Sequence, residues 1–204
     1  MLIYDDSFSA VMAASRQEAT HLGADRYGSE HVLLGLLAAA GPLTEQVRRS
    51  APELTAQAVR SAIERGADDA PHLQRLGIDA DQVLATAGGE PSRPHPAPRN
   101  RHTPEWQGAL GSASVKLNRL QKSGALPREG KVTSAVLWLA VLEPGTRAQR
   151  LLAAMDLDAE RIRGTVLTAL TGNGSVAPPW PQQARAGFLT RLAQRAFARA
   201  NTAG

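Results

Sequence analysis

Two kinds of hydrophobic spacing alternate along the chain. Phe8, Val11, Met12, Ser15, Ala19 and Leu22 recur every three or four residues, as one stripe of an amphipathic helix does. Trp106, Ala109, Leu110, Ala113, Leu117 and Leu120 repeat the stripe, with Thr103 as predicted N-cap and Pro104 in the first turn. Each stripe is followed by a short stretch that is apolar on every side, "SEHVLLGLLAA" and "SAVLWLAVLE", which predicts a fully buried helix. Ser29 and Ser134 stand at the matching starts, 105 residues apart, as expected caps. A third correspondence pairs "HLQRLGIDADQV", from His72, with "LLAAMDLDAERI", from Leu151, at a spacing of 79. There Asp79 and Asp158 would cap the last helix of each copy.

The fall in spacing from 105 to 79 places 26 extra residues in the first copy, near Gly41 to Gly66. Ser50, Pro52 and Glu53 give this insertion a helix-start signal in capping-box spacing, so it reads as one broken or two short helices. Gly88 to Pro104 contains five prolines and two glycines and cannot continue a helix. The expected layout is a first repeat over 1–90 with its insertion at 41–66, a proline-rich linker over 91–103, and a second repeat over 104–172. The fold class is then all-α: a tandem, pseudo-twofold repeat of a four-helix unit forming one compact domain. A further amphipathic helix is expected over 178–204, with Phe188, Leu189, Leu192, Ala196 and Phe197 on one side.

Composition agrees with helices: 43% of the 204 residues are hydrophobic, yet only eight are aromatic. No cysteine is present, which excludes disulfides, thiolate metal sites and a cysteine nucleophile. The basic residues are 20 Arg and 3 Lys, and the net charge of +4 resides in the tail. Pro178 to Gly204 holds Arg185, Arg191, Arg195 and Arg199 with no acid, so residues 1–177 are formally neutral. A basic pI therefore does not make the body a nucleic-acid binder. No apolar run approaches the roughly 20 residues of a membrane span, and the start has no leader pattern. A soluble, cytoplasmic protein is expected.

The stretch "YGSEHVLLGLL", Tyr27 to Leu37, sets Gly28, Ser29, Glu30 and His31 directly against apolar residues. Such a polar step fits an active site, a ligand-reading helix tip or a well-made helix start. As a helix start, Ser29 caps, Glu30 complements the dipole and His31 fills a polar niche beside the first helix. As a reader, the free amides around Ser29 to Val32 would hold a phosphate and Glu30 a guanidinium.

Two tandem copies, the "SEHVLLGLL" element, "LQRLGIDADQVL" and "TRAQRLLAAMDLDAERIRGTVLTAL" together resemble the N-terminal double-repeat domain of the Clp chaperone ATPases, over roughly residues 8–171. In the second copy, Ala135 and Val136 stand where the family would place Glu and His. The ATPases carry AAA+ modules with a P-loop, and none exists here: Gly130 and Lys131 are followed by Val132, with Ala125 in place of the leading glycine. The resemblance implies a stand-alone, non-catalytic binding module that takes proteins or peptides. Family members recruit adaptors and substrates, some read phosphorylated arginine, and some bind cyclic peptide antibiotics. Carried onto this chain, Ser29, Glu30 and His31 would serve polar recognition, and Tyr4 and Phe8 apolar contact. His102, Gln107 and Gly108 depart from the family at the second apolar entrance.

Catalytic motifs are absent from the sequence. There is no G-x-S-x-G and no H-E-x-x-H, and His21, His31, His72, His95 and His102 follow no ligand spacing. No catalytic residue, metal or cofactor is expected. The competing reading is nucleic-acid binding, or contact with an acidic membrane surface or partner, through the Arg-bearing tail.

Overall fold

The structure, a computed structural model, describes residues 4–69, 101–128, 130–171 and 176–182. Among these residues it is all-helical, with eight α-helices and no strand beyond two isolated bridges. Asp5 accepts from the Phe8 amide and starts α1, Asp6–His21, which leads to α2, Ser29–Ala38. The Gly41–Gly66 stretch forms α3, Pro42–Ser50, and α4, Ala56–Glu64. After residue 100 come α5, Pro104–Lys122, and α6, Ser134–Val141. The last two are α7, Arg147–Ala154, and α8, Ala159–Thr171.

The two all-apolar helices form the centre. Every residue from Ser29 to Leu37 in α2 and from Ala135 to Val141 in α6 is buried. They pack on each other, while α1, α4 and α7 surround α2, and α5 and α8 lie against α6. Their stripes are the predicted ones: Val11, Ser15 and Ala19 on α1, and Trp106, Ala109, Ala113 and Leu120 on α5. Helices α1 and α2 approach closely at Gly35. A Cβ there would stand 2.7 Å from the Val11 carbonyl oxygen and 2.8 Å from the Ser15 amide nitrogen, and against Ser15 Oγ. On α5 and α6, Ala113 and Ala140 are fully buried.

A reciprocal seam joins the parts. Tyr4, two residues before α1, bridges Val132, two residues before α6; Tyr27, two before α2, bridges His102, two before α5. Asp5 donates its amide to the Val132 carbonyl (3.1 Å), Tyr27 to Arg101 (3.2 Å) and Thr103 to Tyr27 (3.1 Å). The Tyr27 hydroxyl lies 3.1 Å from His102 Nε2.

Several predicted boundaries are corrected. The caps of α2 and α6 are Gly28 and Thr133, one residue before the expected Ser29 and Ser134. The Ser29 hydroxyl is drawn into a tertiary contact, and the Gly28 amide is taken by the His31 ring (3.1 Å). Ser50 closes α3 rather than starting a helix, because Pro52 forces Ala51 out of the helical region (φ −141°, ψ 76°), and Thr55 caps α4. Residues 178–182, expected to begin the tail helix, are not helical, since Pro178, Pro179 and Pro181 leave no helix ladder. Residues 183–204, the 72–83 stretch with His72 and Asp79, and most of the linker with His95 lie outside the described residues.

Candidate functional site

Three helix starts converge where the polar step lies. The first amides of α2, α5 and α7 have no partner within their own helices, and each such end carries partial positive charge. Glu105, in the first turn of α5, supplies the anion. Its Oε1 accepts from Ser29 Oγ (2.8 Å) and from the Arg147 amide (2.9 Å). Ser29 Oγ in turn accepts from the Ala148 amide at 3.0 Å. The seat that an external phosphate would use at this end of α2 is thus beside an internal carboxylate and a fully buried hydroxyl.

Glu30 meets a guanidinium from its own chain. Its Oε1 lies 3.3 Å from Arg147 Nη1, while Arg147 directs Nε (2.8 Å) and Nη2 (3.4 Å) to the carboxylate of Asp68, after α4. Arg150 stands farther off, at 3.8 Å from Asp68. Glu30 Oε2 is buried and has no hydrogen-bond partner among the described residues. A Cβ at Gly28 would lie 2.5 Å from it, so any larger residue there would have to push the Glu30 carboxylate aside. Burial pushes the Glu30 carboxyl above the usual range; its own backbone and Arg147 pull it back.

His31 is held neutral. Burial, and then the Arg147 charge, push its pKa down to about 4, against a smaller opposing effect of Glu18. Its Nδ1 accepts the Gly28 amide, so the 3.2 Å approach of Glu30 Oε1 to that nitrogen is no ion pair. The imidazole acts as the N3 side chain of a capping box, the place usually given to Glu or Gln.

The predicted polar residues therefore do come together, but inside: Ser29, Glu30 and His31 are 0%, 4% and 3% exposed. Tyr4 and Phe8 form a separate pair, with ring centroids 4.5 Å apart. Tyr4 is 50% exposed and Phe8 half-buried. Sequence reasoning missed Asp68, Glu105 and Arg147, which approach only through tertiary folding. It also missed a second buried pair, Lys116 on α5 with Glu143 after α6, at 2.7 and 3.0 Å. Here a signal existed, since Lys116 continues the buried Ala109, Ala113 stripe.

A surface cleft of about 390 Å³ lies between the end of α3 and the α7–α8 turn, lined by Ser50, Glu53, Asp156, Asp158 and Arg161 among others. Among the described residues, no group of three or more His, Asp or Glu is placed to hold a metal ion, and no helix is long and apolar enough to cross a membrane. No model of a known protein family matches the chain, and no curated protein sequence matches it.

Proposed function

We propose that this protein is a non-catalytic peptide- or protein-binding module of the Clp N-domain kind, acting in the cytoplasm as an adaptor, competitor or decoy for a Clp system. Two four-helix units related by a pseudo-twofold axis account for the spacing of the helix starts. The caps of α1 and α5 are 98 residues apart, those of α2 and α6 and of α3 and α7 are 105 apart, and Thr55 and Asp158 are 103 apart. On this spacing α3 and α4 are the third and fourth helices of the first unit, a role the sequence alone had given to the 72–83 stretch. The accepting carbonyls at the ends of α2 and α6 match at a spacing of 105, although their donors do not: Leu36 accepts from Thr44 (3.1 Å) and Val141 from Thr146 (2.7 Å), while Leu37 accepts from Arg48 on α3 and Leu142 from Arg163 on α8.

The observation that carries the functional reading is the contrast in accessibility. The polar step is closed by Arg147 and Glu105, whereas Tyr4 and Phe8 keep an aromatic surface open beside the seam. Recognition is therefore apolar, through Tyr4 and Phe8, and a phosphoarginine could reach Glu30 only by displacing Arg147. Fluorescence polarisation with a labelled Clp-directed cyclic peptide tests this. Tyr4→Ala/Phe8→Ala should weaken binding at least tenfold, whereas Glu30→Gln should leave it within about twofold. Unchanged binding by the double variant refutes the reading. Binding that instead weakens steeply with salt and is lost with residues 183–204 establishes the tail-driven alternative.

A further inference from the structure

The Lys116–Glu143 pair does not stand alone. Glu143 Oε2 also accepts from Ser112 Oγ (2.9 Å), and Oε1 accepts from the indole Nε1 of Trp180 at 2.7 Å. Lys116 Nζ lies 5.6 Å from the centre of the Trp180 ring, within range of a cation–π contact. Trp180 belongs to Val176–Gln182, "VAPPWPQ", which runs outside any helix after α8. Ala177 and Trp180 pack on the core, and Trp180 is half-buried. Glu143 and Lys116 are 2% and 7% exposed beneath it.

The manner of attachment is informative. Pro178, Pro179 and Pro181 have no amide hydrogen, and no backbone–backbone hydrogen bond ties 176–182 to the helices among the described residues. The hold is by side chain, with one aromatic anchor and its N–H directed at a buried acceptor. Short proline-rich peptides dock on globular partners in this way, because their extended form loses little entropy on binding.

We propose that the recess over Lys116 and Glu143 is a peptide-binding site, occupied in cis by Val176–Gln182, and that its ligand in trans is a partner segment bearing a proline-flanked tryptophan. Glu143 is the acceptor for the ligand's indole N–H, Lys116 holds the Glu143 charge and faces the ring, and the chain's own segment is the competitor. The site is separate from the Tyr4–Phe8 surface and does not depend on its role. Because the segment belongs to the same chain, an effective concentration on the order of 1 mM and an intrinsic Kd of about 100 μM would let it weaken trans binding about tenfold.

The test uses the full chain and a fluorescein-labelled VAPPWPQ peptide. Trp180→Ala should bind the peptide about tenfold more tightly than the native chain. Adding Lys116→Met and Glu143→Leu, which together replace the buried pair with apolar groups, should abolish that binding, and so should Trp→Ala in the peptide. In parallel, the native chain labelled with 5-fluorotryptophan gives a ¹⁹F readout that needs no variant. Excess peptide should move the Trp180 resonance and leave those of the fully buried Trp106 and Trp138 unchanged. The proposal is overturned if folded Trp180→Ala binds no better than the native chain, if the tryptophan-free peptide binds equally, or if the Trp180 resonance does not move at millimolar peptide.

Discussion

Protonation of His31 works against the fold, by an amount set by its surroundings. Burial and the neighbouring Arg147 hold its pKa at about 4 in the folded chain, against 6.5 for a free imidazole. Because the folded value is the lower one, the unfolded chain takes up the proton first as pH falls. The contribution to stability is fully present above pH 6.5 and is lost as pH drops towards 4. A shift of this size at 1.36 kcal/mol per unit gives about 3 kcal/mol, and with His31 only 3% exposed little is screened by solvent. His31→Gln is the informative change. Glutamine is a natural N3 residue and can accept the Gly28 amide, so the cap is kept while the titration is removed. Urea unfolding followed by helical circular dichroism at pH 7, 6, 5 and 4 gives the stability of each chain. The native chain should lose about 3 kcal/mol more than the variant between pH 7 and 4. Glu30, whose carboxyl is shifted upward, acts in the opposite sense but is present in both chains and drops out of the difference. If both chains lose stability in parallel, the neutral, buried His31 is not the source of the acid sensitivity.

Two further substitutions probe the packing and the buried charges. Gly35→Ala drives a methyl into the α1 backbone and should cost about 1–3 kcal/mol in the same urea assay, whereas Ala140→Gly should cost roughly 2 kcal/mol, about half from helix propensity and half from a lost buried methyl. A Gly35→Ala chain as stable as the native one would show that the helices separate freely. Arg147→Ala leaves the buried Glu30 and Asp68 carboxylates without their shared cation and should destabilise by on the order of 3 kcal/mol at pH 7. That loss should shrink at pH 4 as Glu30 takes up a proton, and an undiminished loss there would refute the charge argument.

The parts of the fold read correctly from sequence are those fixed by local periodicity. The α1 and α5 stripes and the all-apolar α2 and α6 follow from which faces need burial, and Thr103 and Asp158 cap as expected. The misplaced starts of α2 and α4 have another origin, because a serine near a helix start has more than one possible partner. Ser29 bonds Glu105 and the Ala148 amide across the molecule, and Ser50 donates to the Val47 carbonyl, closing α3. Composition singled out the polar step, but not that Glu30 would meet Arg147 117 positions away. Nothing in the spacing of Asp68, Glu105 and Arg147 marks them as neighbours. Trp180 read as part of a helical tail because its role as a donor to Glu143 depends on a contact 37 positions back along the chain.

The crossed bridges at Tyr4–Val132 and Tyr27–His102 impose an order on birth at the ribosome. While the early helices are emerging, the backbone at Tyr4 and Tyr27 has no mate, and the Ser7 hydroxyl waits for an amide 127 positions downstream. The seam can therefore close only once the chain has been made as far as Ser134, so the entries to α1 and α2 take their final form late in synthesis.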